Sequence, residues 1–168
     1  MQFWPRKRSK RSFARIRRWQ DNAPTKLQAF IGYKAGMTHI IAKDNSPNTM
    51  FKNIPISIPV TVIECPPIKT LSLRFYQNSS LGLKLISEIF SKNIPKDIKK
   101  YISLPKKEAK EPEEYDDVRL KIYTQPRLTG IGQKKPELME VAITGDKKEK
   151  LGYGRSLLEK DIRFQDIF

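Results

Sequence analysis

The chain has 168 residues, of which 33 are Lys or Arg and 18 are Asp or Glu, so its formal net charge is +15. No stretch of the sequence is apolar for long enough to span a membrane, and the single cysteine, Cys65, excludes an internal disulfide framework and a cysteine-based zinc site. The large positive excess instead indicates a polyanionic partner, and nucleic acid is the one it fits best.

Residues 1–25 are predicted to form an extended nucleic-acid-binding arm. Before the first acidic residue, Asp21, the arm carries eight basic residues: Arg6, Lys7, Arg8, Lys10, Arg11, Arg15, Arg17 and Arg18. A segment so charged repels itself and becomes ordered against a polyanion. Arginine dominates, and its guanidinium group binds two phosphate oxygens at once and stacks on bases. The aromatic residues of the arm either stack on unpaired bases or anchor the arm to the domain: Phe3, Trp4, Phe13 and Trp19.

Residues 26–78 are expected to supply the first strands of a sheet or barrel. The region 26–43 is predicted to form two short strands around a turn that contains Gly32 and Gly36. Between Ile54 and Val62 apolar residues alternate with others that include Pro55 and Pro59, which indicates an edge strand or a bent strand. A further strand is predicted where Leu71, Leu73 and Phe75 alternate with polar residues.

Residues 79–117 are predicted to form a helical insertion followed by an acidic loop. Apolar residues recur at helical spacing in two runs: Leu85, Ile86, Ile89 and Phe90, then Ile94, Ile98, Tyr101 and Ile102. The loop after them concentrates carboxylates, including Glu113, Glu114, Asp116 and Asp117.

Residues 118–168 are predicted to return to strand structure. Apolar alternation indicates strands over 118–122 and 138–143, with a basic loop over 126–136 between them. Gly145 and Asp146 precede a predicted helix that runs to Lys160. The last seven residues are predicted to form a strand that pairs with a partner chain through Ile162, Phe164, Ile167 and Phe168. Taken together, the pattern predicts a mainly β, α+β fold interrupted by a small helical subdomain.

The sequence offers little support for a catalytic site, and we expect a protein that is not an enzyme. The single histidine, His39, has no acidic partner at a recognised spacing, the nearest being Asp44. The acidic cluster of residues 113–117 has the oxygen ligands of a magnesium-dependent nuclease, but a solvated loop or a helix end explains it better. The loop Arg127–Lys135 lacks the spacing of a nucleotide-binding loop.

Several segments, taken in order, resemble the archaeal form of large-subunit ribosomal protein three. The resemblance is carried by Met1–Ser9, Gly32–His39, Ile58–Glu64 with Pro66 and Pro67, Thr124–Gly130, and Lys134–Val141. It extends over essentially the whole chain, and the combination is much more specific than any one of these motifs.

The resemblance implies a cytoplasmic protein of the large ribosomal subunit that binds 23S-type rRNA. It also implies a role in rRNA folding and assembly, indirect support of the peptidyl-transferase region, and neighbouring ribosomal proteins as partners. The implied fold is a small β-barrel of the translation-protein type with a helical insertion and an extended arm. By resemblance, three groups of residues would contact rRNA: the arm with Trp4 and Trp19, then Lys34, Thr38 and His39, and then Arg127, Lys134 and Lys135.

The resemblance also implies that no cofactor is needed beyond the Mg²⁺ that rRNA carries. Family members continue beyond Phe168, so we expect the N-terminal half of a split protein whose remaining barrel strands come from a second polypeptide. A truncated gene product or a fragment of a longer protein is the other interpretation of this difference. A free RNA-binding module, such as an RNA chaperone, is the alternative.

Overall fold

A computed structural model of the chain describes residues 3, 9–16, 18–20, 24–105, 107 and 109–168. Within these residues there are seven strands: β1 Tyr33–Lys43, β2 Pro55–Glu64, β3 Ile68–Ser79, β4 Gly82–Phe90, β5 Asp117–Tyr123, β6 Leu138–Ala142 and β7 Asp161–Ile162. The helices are α1 Lys96–Lys99 and α2 Lys147–Leu157, with 3-10 turns at Pro126–Leu128 and Phe164–Asp166. None of the helices in the described ranges is long and apolar enough to cross a membrane. The fold is therefore mainly β with a minor helical part, as the sequence predicts.

Strands β1 and β2 form a separate two-stranded antiparallel sheet. The predicted strand around residues 54–62 is confirmed, and Pro59 lies opposite His39 in the pair. The prediction of two short strands before it is wrong, because β1 continues through Gly36 without a turn. A bulge at Ala35, between Lys34 and Gly36, shifts the register instead.

The other five strands form one antiparallel sheet in the order β4-β3-β5-β6, with β7 paired to the start of β3. Its strand residues alternate, so every second side chain enters the same core. The core side chains of β3, β5 and β6 are almost fully buried: Leu73, Phe75, Val118, Leu120, Ile122 and Val141. Helix α2 packs over them through Gly154, where an added Cβ would lie 2.7 Å from Leu73 Cδ1. The predicted strands over 71–75, 118–122 and 138–143 and the helix after Asp146 are thus confirmed.

The predicted helical insertion is largely wrong. Residues 85–90 belong to strand β4, which pairs with β3, and the second predicted helix is reduced to the single turn α1. The register explains the error, because Phe75 lies opposite Ser87 and Tyr76 opposite Leu85, which leaves Ile86 as an extra residue. A bulge of this kind interrupts the two-residue alternation and imitates the spacing of a helix.

The C-terminal segment forms a strand only at Asp161–Ile162, so the seven-residue strand predicted there is also corrected. The chain then turns through Phe164–Asp166, which a hydrogen bond from Arg163 N to Asp166 Oδ2 (2.8 Å) stabilises. Ile162 and Ile167 are buried within this chain, whereas Phe164 and Phe168 stack on each other and stay exposed. The two sheets form no closed barrel within the described residues.

Candidate nucleic-acid interface

The described part of the arm is anchored to the domain by its aromatic residues. Phe13 and Trp19 pack against the core of the five-stranded sheet, and both are partly buried. Gln20 N donates a hydrogen bond to Gln28 Oε1 (3.0 Å), while Gln28 N bonds to Ala142 O of β6 (3.2 Å). This packing fits the anchoring role predicted for some of the aromatic side chains, while the rRNA contact predicted for Trp19 stays a prediction. Phe3 remains 72% exposed.

The basic side chains in the described part of the arm face solvent. Lys10, Arg11, Arg15 and Arg18 are exposed, and within the described ranges none of them has a carboxylate oxygen within 4.0 Å. The other predicted contacts of the arm lie outside the described residues: Trp4, Arg6, Lys7, Arg8 and Arg17. The anchored segment therefore presents four positive charges that nothing described in the chain neutralises.

Beneath the arm, the polar face of the five-stranded sheet carries a ladder of paired charges. Arg74 of β3 bridges Glu88 of β4 (3.2 Å) and Glu140 of β6 (2.9 Å). Arg119 of β5 bonds the other oxygen of Glu140 (3.1 Å), and Tyr76 Oη donates to Glu140 (2.8 Å). Burial and the bond to Glu140 raise the pKa of Tyr76 to about 12. These charges satisfy one another, so this face holds the sheet together rather than offering free charge to a ligand.

Sequence reasoning missed this charged ladder, although its signal is present. Arg74, Arg119 and Glu140 each stand between two large apolar residues in a predicted strand. Such alternation places all of them on the face opposite the core. Once the order of the strands is known, the arginines and the glutamate can be paired across neighbouring strands as residues of opposite charge.

Acid titration of Glu88 gives a test of the ladder. Burial alone would raise the pKa of Glu88, but hydrogen bonds from Ser72 and Arg74 and the charges of Arg74 and Lys121 outweigh it and hold the pKa below its usual 4.5. A lowered pKa adds stability above pH 4.5, and this stability is lost as pH falls through the pKa of the folded state. We expect Glu88→Gln to reduce the unfolding free energy by about 1 to 2 kcal/mol at pH 7, and this loss to become progressively smaller as pH falls below 4.5.

Urea denaturation of both proteins across this pH range measures the effect. Glu159→Gln, at an exposed site, is the control and is expected to match the unchanged chain at every pH. A Glu88→Gln loss that stayed the same at pH 3 would contradict the ionic origin of the stabilisation.

The predicted contacts Lys34, Thr38 and His39 lie on strand β1, not in a turn, and all three are exposed. Thr38 faces the same side of the hairpin as its partner Val60, whereas His39 and its partner Pro59 face the other side. The strand therefore distributes these residues over two surfaces.

The basic loop of residues 126–136 is fixed at its base, and its basic side chains are exposed. Thr124 Oγ1 accepts hydrogen bonds from Tyr33 Oη (2.8 Å) and from Glu137 N (2.9 Å), and Gln125 Nε2 donates to Pro67 O (2.8 Å). The side chains of Arg127, Lys134 and Lys135 are all exposed. The loop thus connects the hairpin to the larger sheet and places three basic residues at the surface.

The aspartates of the acidic cluster, Asp116 and Asp117, are paired with basic groups of the chain. Asp116 accepts a hydrogen bond from Asn78 N (2.8 Å) and pairs with Lys147, while Asp117 pairs with Arg119 and Lys150. Within the described ranges, no three residues of ligand type come close enough together to hold an ion. The aspartates thus hold the start of β5 to helix α2 and to β3.

The chain combines a mainly β domain with two exposed basic surfaces, the anchored arm and the loop of residues 126–136. This combination is typical of proteins that are constituents of ribonucleoprotein particles. The comparison with known families agrees, because the family model described as "Ribosomal protein L3" matches residues 1–115. The chain belongs to the ribosomal protein L3 family. Proteins of this family are structural constituents and not enzymes.

Archaeal relatives match the chain along almost its whole length. It is 37% identical to the large ribosomal subunit protein uL3 of Methanocaldococcus jannaschii, 38% to that of Archaeoglobus fulgidus and 40% to that of Picrophilus torridus. Each match covers 99% of this chain but only 52 or 53% of the relative. The chain therefore spans about half the length of the curated relatives it matches.

Proposed function

We propose that this chain is a structural constituent of the large ribosomal subunit in the cytoplasm, where it binds 23S-type rRNA and neighbouring ribosomal proteins. Binding aids the folding and assembly of the rRNA and supports the peptidyl-transferase region from a distance. The named function of the archaeal relatives supports the proposal. The observation that carries it is the arm, whose exposed Lys10, Arg11, Arg15 and Arg18 have no described acidic partner.

The mechanism is phosphate neutralisation from an anchored arm. Phe13 and Trp19 fix the arm to the sheet, so its arginines lose less freedom on binding than those of a wholly unanchored tail. Each arginine replaces condensed counterions on the RNA, which makes the affinity steeply dependent on salt. The second set of contacts comes from Lys34 and His39 on β1 and from Arg127, Lys134 and Lys135 in the loop, with Mg²⁺ supplied by the rRNA alone. Thr38, the other predicted contact of β1, lies on the opposite face of the strand from His39.

Binding to two rRNAs tests this function. The chain is titrated against the large-subunit and small-subunit rRNAs of Methanocaldococcus jannaschii, transcribed in vitro, at several salt concentrations. We expect tighter binding to the large-subunit transcript at every salt concentration. Equal binding to both transcripts would contradict the proposal and favour a free RNA chaperone.

The hairpin of β1 and β2 supports the further proposal that a second polypeptide completes the barrel. Besides Gly36, the register pairs place seven residues on one face of the hairpin, and all of these except Thr38 are apolar: Thr38, Ile40, Ala42, Ile56, Ile58, Val60 and Val62. Ile40 and Val62 are each 47% exposed, so this face lies open. Because the relatives are about twice as long as this chain, we assign the face to strands of the family's remaining half.

Two neighbouring residues on opposite faces of β1 make a matched test. Ile40 lies on the apolar face, while Ile41 lies on the other face and is 81% exposed. The chain is co-expressed with the part of the Methanocaldococcus jannaschii relative that it does not match. We expect Ile40→Glu to abolish co-purification, because a carboxylate would be buried without a partner, and Ile41→Glu to leave it intact. Equal loss in both variants, or in neither, would contradict the assignment of this face.

A further inference from the structure

A second group of basic side chains lies between β4 and β5, in a region that the predicted contacts do not include. Six of its lysines are exposed: Lys92, Lys96, Lys99, Lys100, Lys107 and Lys110. Within the described ranges none of them has a carboxylate oxygen within 4.0 Å. Two acidic residues of the same region form ion pairs with arginines outside it. Asp97 pairs with Arg127, and Glu111 pairs with Arg155.

Three of these lysines line one cleft, which we call the lysine cleft. It has a volume of about 280 Å³, and Lys92, Lys99 and Lys107 contribute to its walls. Apolar residues make up much of the rest, among them Phe90, Ile94 and Leu104, and no carboxylate occurs among its described lining residues. Apolar walls exclude water and lower the local dielectric constant. The attraction between the lysines of the cleft and an anion is therefore stronger than it would be on an open surface.

The lysine cleft rests on a packed base. Ile94 and Ile98 are buried against Leu71 of β3 and Tyr123 of β5 in a second hydrophobic cluster. Ser91 holds the start of the segment, because its N–H bonds to Leu71 O (2.9 Å) and its hydroxyl donates to Leu158 O (3.0 Å). The backbone that carries the lysines is therefore positioned before any ligand arrives, which reduces the entropic cost of binding.

The lysine cleft is linked to the basic loop of residues 126–136. Arg127 Nη2 lies 2.7 Å from Asp97 Oδ1 of α1, and Lys135 Nζ lies 6.0 Å from the centre of the Tyr101 ring. These two contacts join the loop to the segment that carries Lys99, so the two sets of charges form one basic surface. A different cleft lies between the arm and the five-stranded sheet, and its lining residues include Arg15 and Glu140. The lysine cleft and this cleft have no lining residue in common.

We propose that the lysine cleft and the adjoining basic loop bind the sugar–phosphate backbone of a second RNA segment, apart from the segment bound by the arm. This inference rests on the proposed function and extends it to a second surface. Lysine ammonium groups act as point charges toward phosphate and contribute affinity without reading base sequence. Two separated basic surfaces let the chain hold two RNA segments at once, so that each binding event raises the effective concentration for the other.

Three double variants test the proposal against the Methanocaldococcus jannaschii large-subunit transcript. The first replaces Lys92 and Lys99 with Ala, and the second replaces Lys148 and Lys160, two exposed lysines far along the chain, as the charge-matched control. The third replaces Arg11 and Arg15 of the arm. We expect the first and third each to reduce the slope of log affinity against log salt by about 1.5, because each loses two phosphate contacts, and the control to change it by much less.

The outcomes separate this inference from the proposed function. If the arm variant weakens binding while the Lys92/Lys99 variant behaves like the control, the lysine cleft is not an RNA surface and only this inference fails. If the unchanged chain does not prefer the large-subunit transcript, the proposed function fails and this inference with it.

Protection from acetylation gives an independent measurement that requires no substitution. The free chain and its complex with the same transcript are treated with an amine-acetylating reagent, and the modified lysines are identified by mass spectrometry. We expect RNA to protect Lys92, Lys99 and Lys107 but not Lys148. Equal acetylation of Lys99 and Lys148 in the complex would overturn the proposal.

Discussion

Replacing Lys10, Arg11, Arg15 and Arg18 with Ala is expected to weaken binding to large-subunit rRNA by about 100-fold or more at 0.1 M salt. All four side chains are exposed, and loss of four phosphate contacts should reduce the salt slope by about 3. The aromatic anchors Phe13 and Trp19 are unchanged, so the domain should fold as before. Binding to the Methanocaldococcus jannaschii transcript over a range of salt concentrations measures both quantities.

The control for this experiment removes the same number of charges elsewhere. Lys52, Lys148, Lys160 and Arg163 are exposed and lie outside the proposed contacts, so their replacement should change the slope by much less than that of the arm residues. If both quadruple variants lost affinity equally, binding would depend on net charge alone, and the assignment of the arm as the principal contact would be wrong.

Phe75→Ala is expected to lower the unfolding free energy by about 3 to 5 kcal/mol. Phe75 is fully buried at the centre of the five-stranded sheet, and its ring meets that of Tyr115 edge to face at 5.2 Å. Because a domain is stabilised by only about 5 to 15 kcal/mol in total, this loss would leave the sheet close to unfolding. Urea denaturation followed by circular dichroism measures the change.

The same substitution at an exposed site provides the control. Phe51 is 60% exposed between β1 and β2, and Phe51→Ala should change the unfolding free energy by no more than about 0.5 kcal/mol. Similar effects at Phe75 and Phe51 would mean that the five-stranded sheet is not the core of the fold.

Regular alternation made the strands of the core predictable from sequence. Val118, Leu120 and Ile122 alternate with charged residues without interruption, and their strand was predicted within one residue of each end. Strand β4 was missed because the bulge at Ile86 interrupts its alternation, and a bulge depends on the partner strand, which local spacing does not reveal.

The C-terminal prediction failed for a related reason. Ile162, Phe164, Ile167 and Phe168 look like a strand in need of a partner when only their apolar character is considered. In the fold, Ile162 pairs with Ile68 of β3 and Ile167 is buried after a 3-10 turn, so two of the four are already covered. Pairing with another chain through Phe164 and Phe168 stays a prediction, and the open face of the β1–β2 hairpin is the larger apolar surface.

The candidate interface was predictable where it depended on charge and not where it depended on packing. The arm is visible in the sequence because eight basic residues precede the first acidic one. The lysine cleft is not, because Lys92, Lys99 and Lys107 are brought together by the burial of Ile94 and Ile98 on the sheet. Lys99 also lies in the run Ile94–Ile102, whose apolar spacing predicts an ordinary helix.

Mass spectrometry of purified large ribosomal subunits from the source organism tests the central claim most directly. We predict that the subunits contain this chain in one-to-one ratio with other large-subunit proteins, together with a separate polypeptide that carries the remaining half of the family. A single longer polypeptide that includes this sequence would contradict completion of the barrel by a second chain. Absence of the sequence from the subunits would contradict the ribosomal function itself.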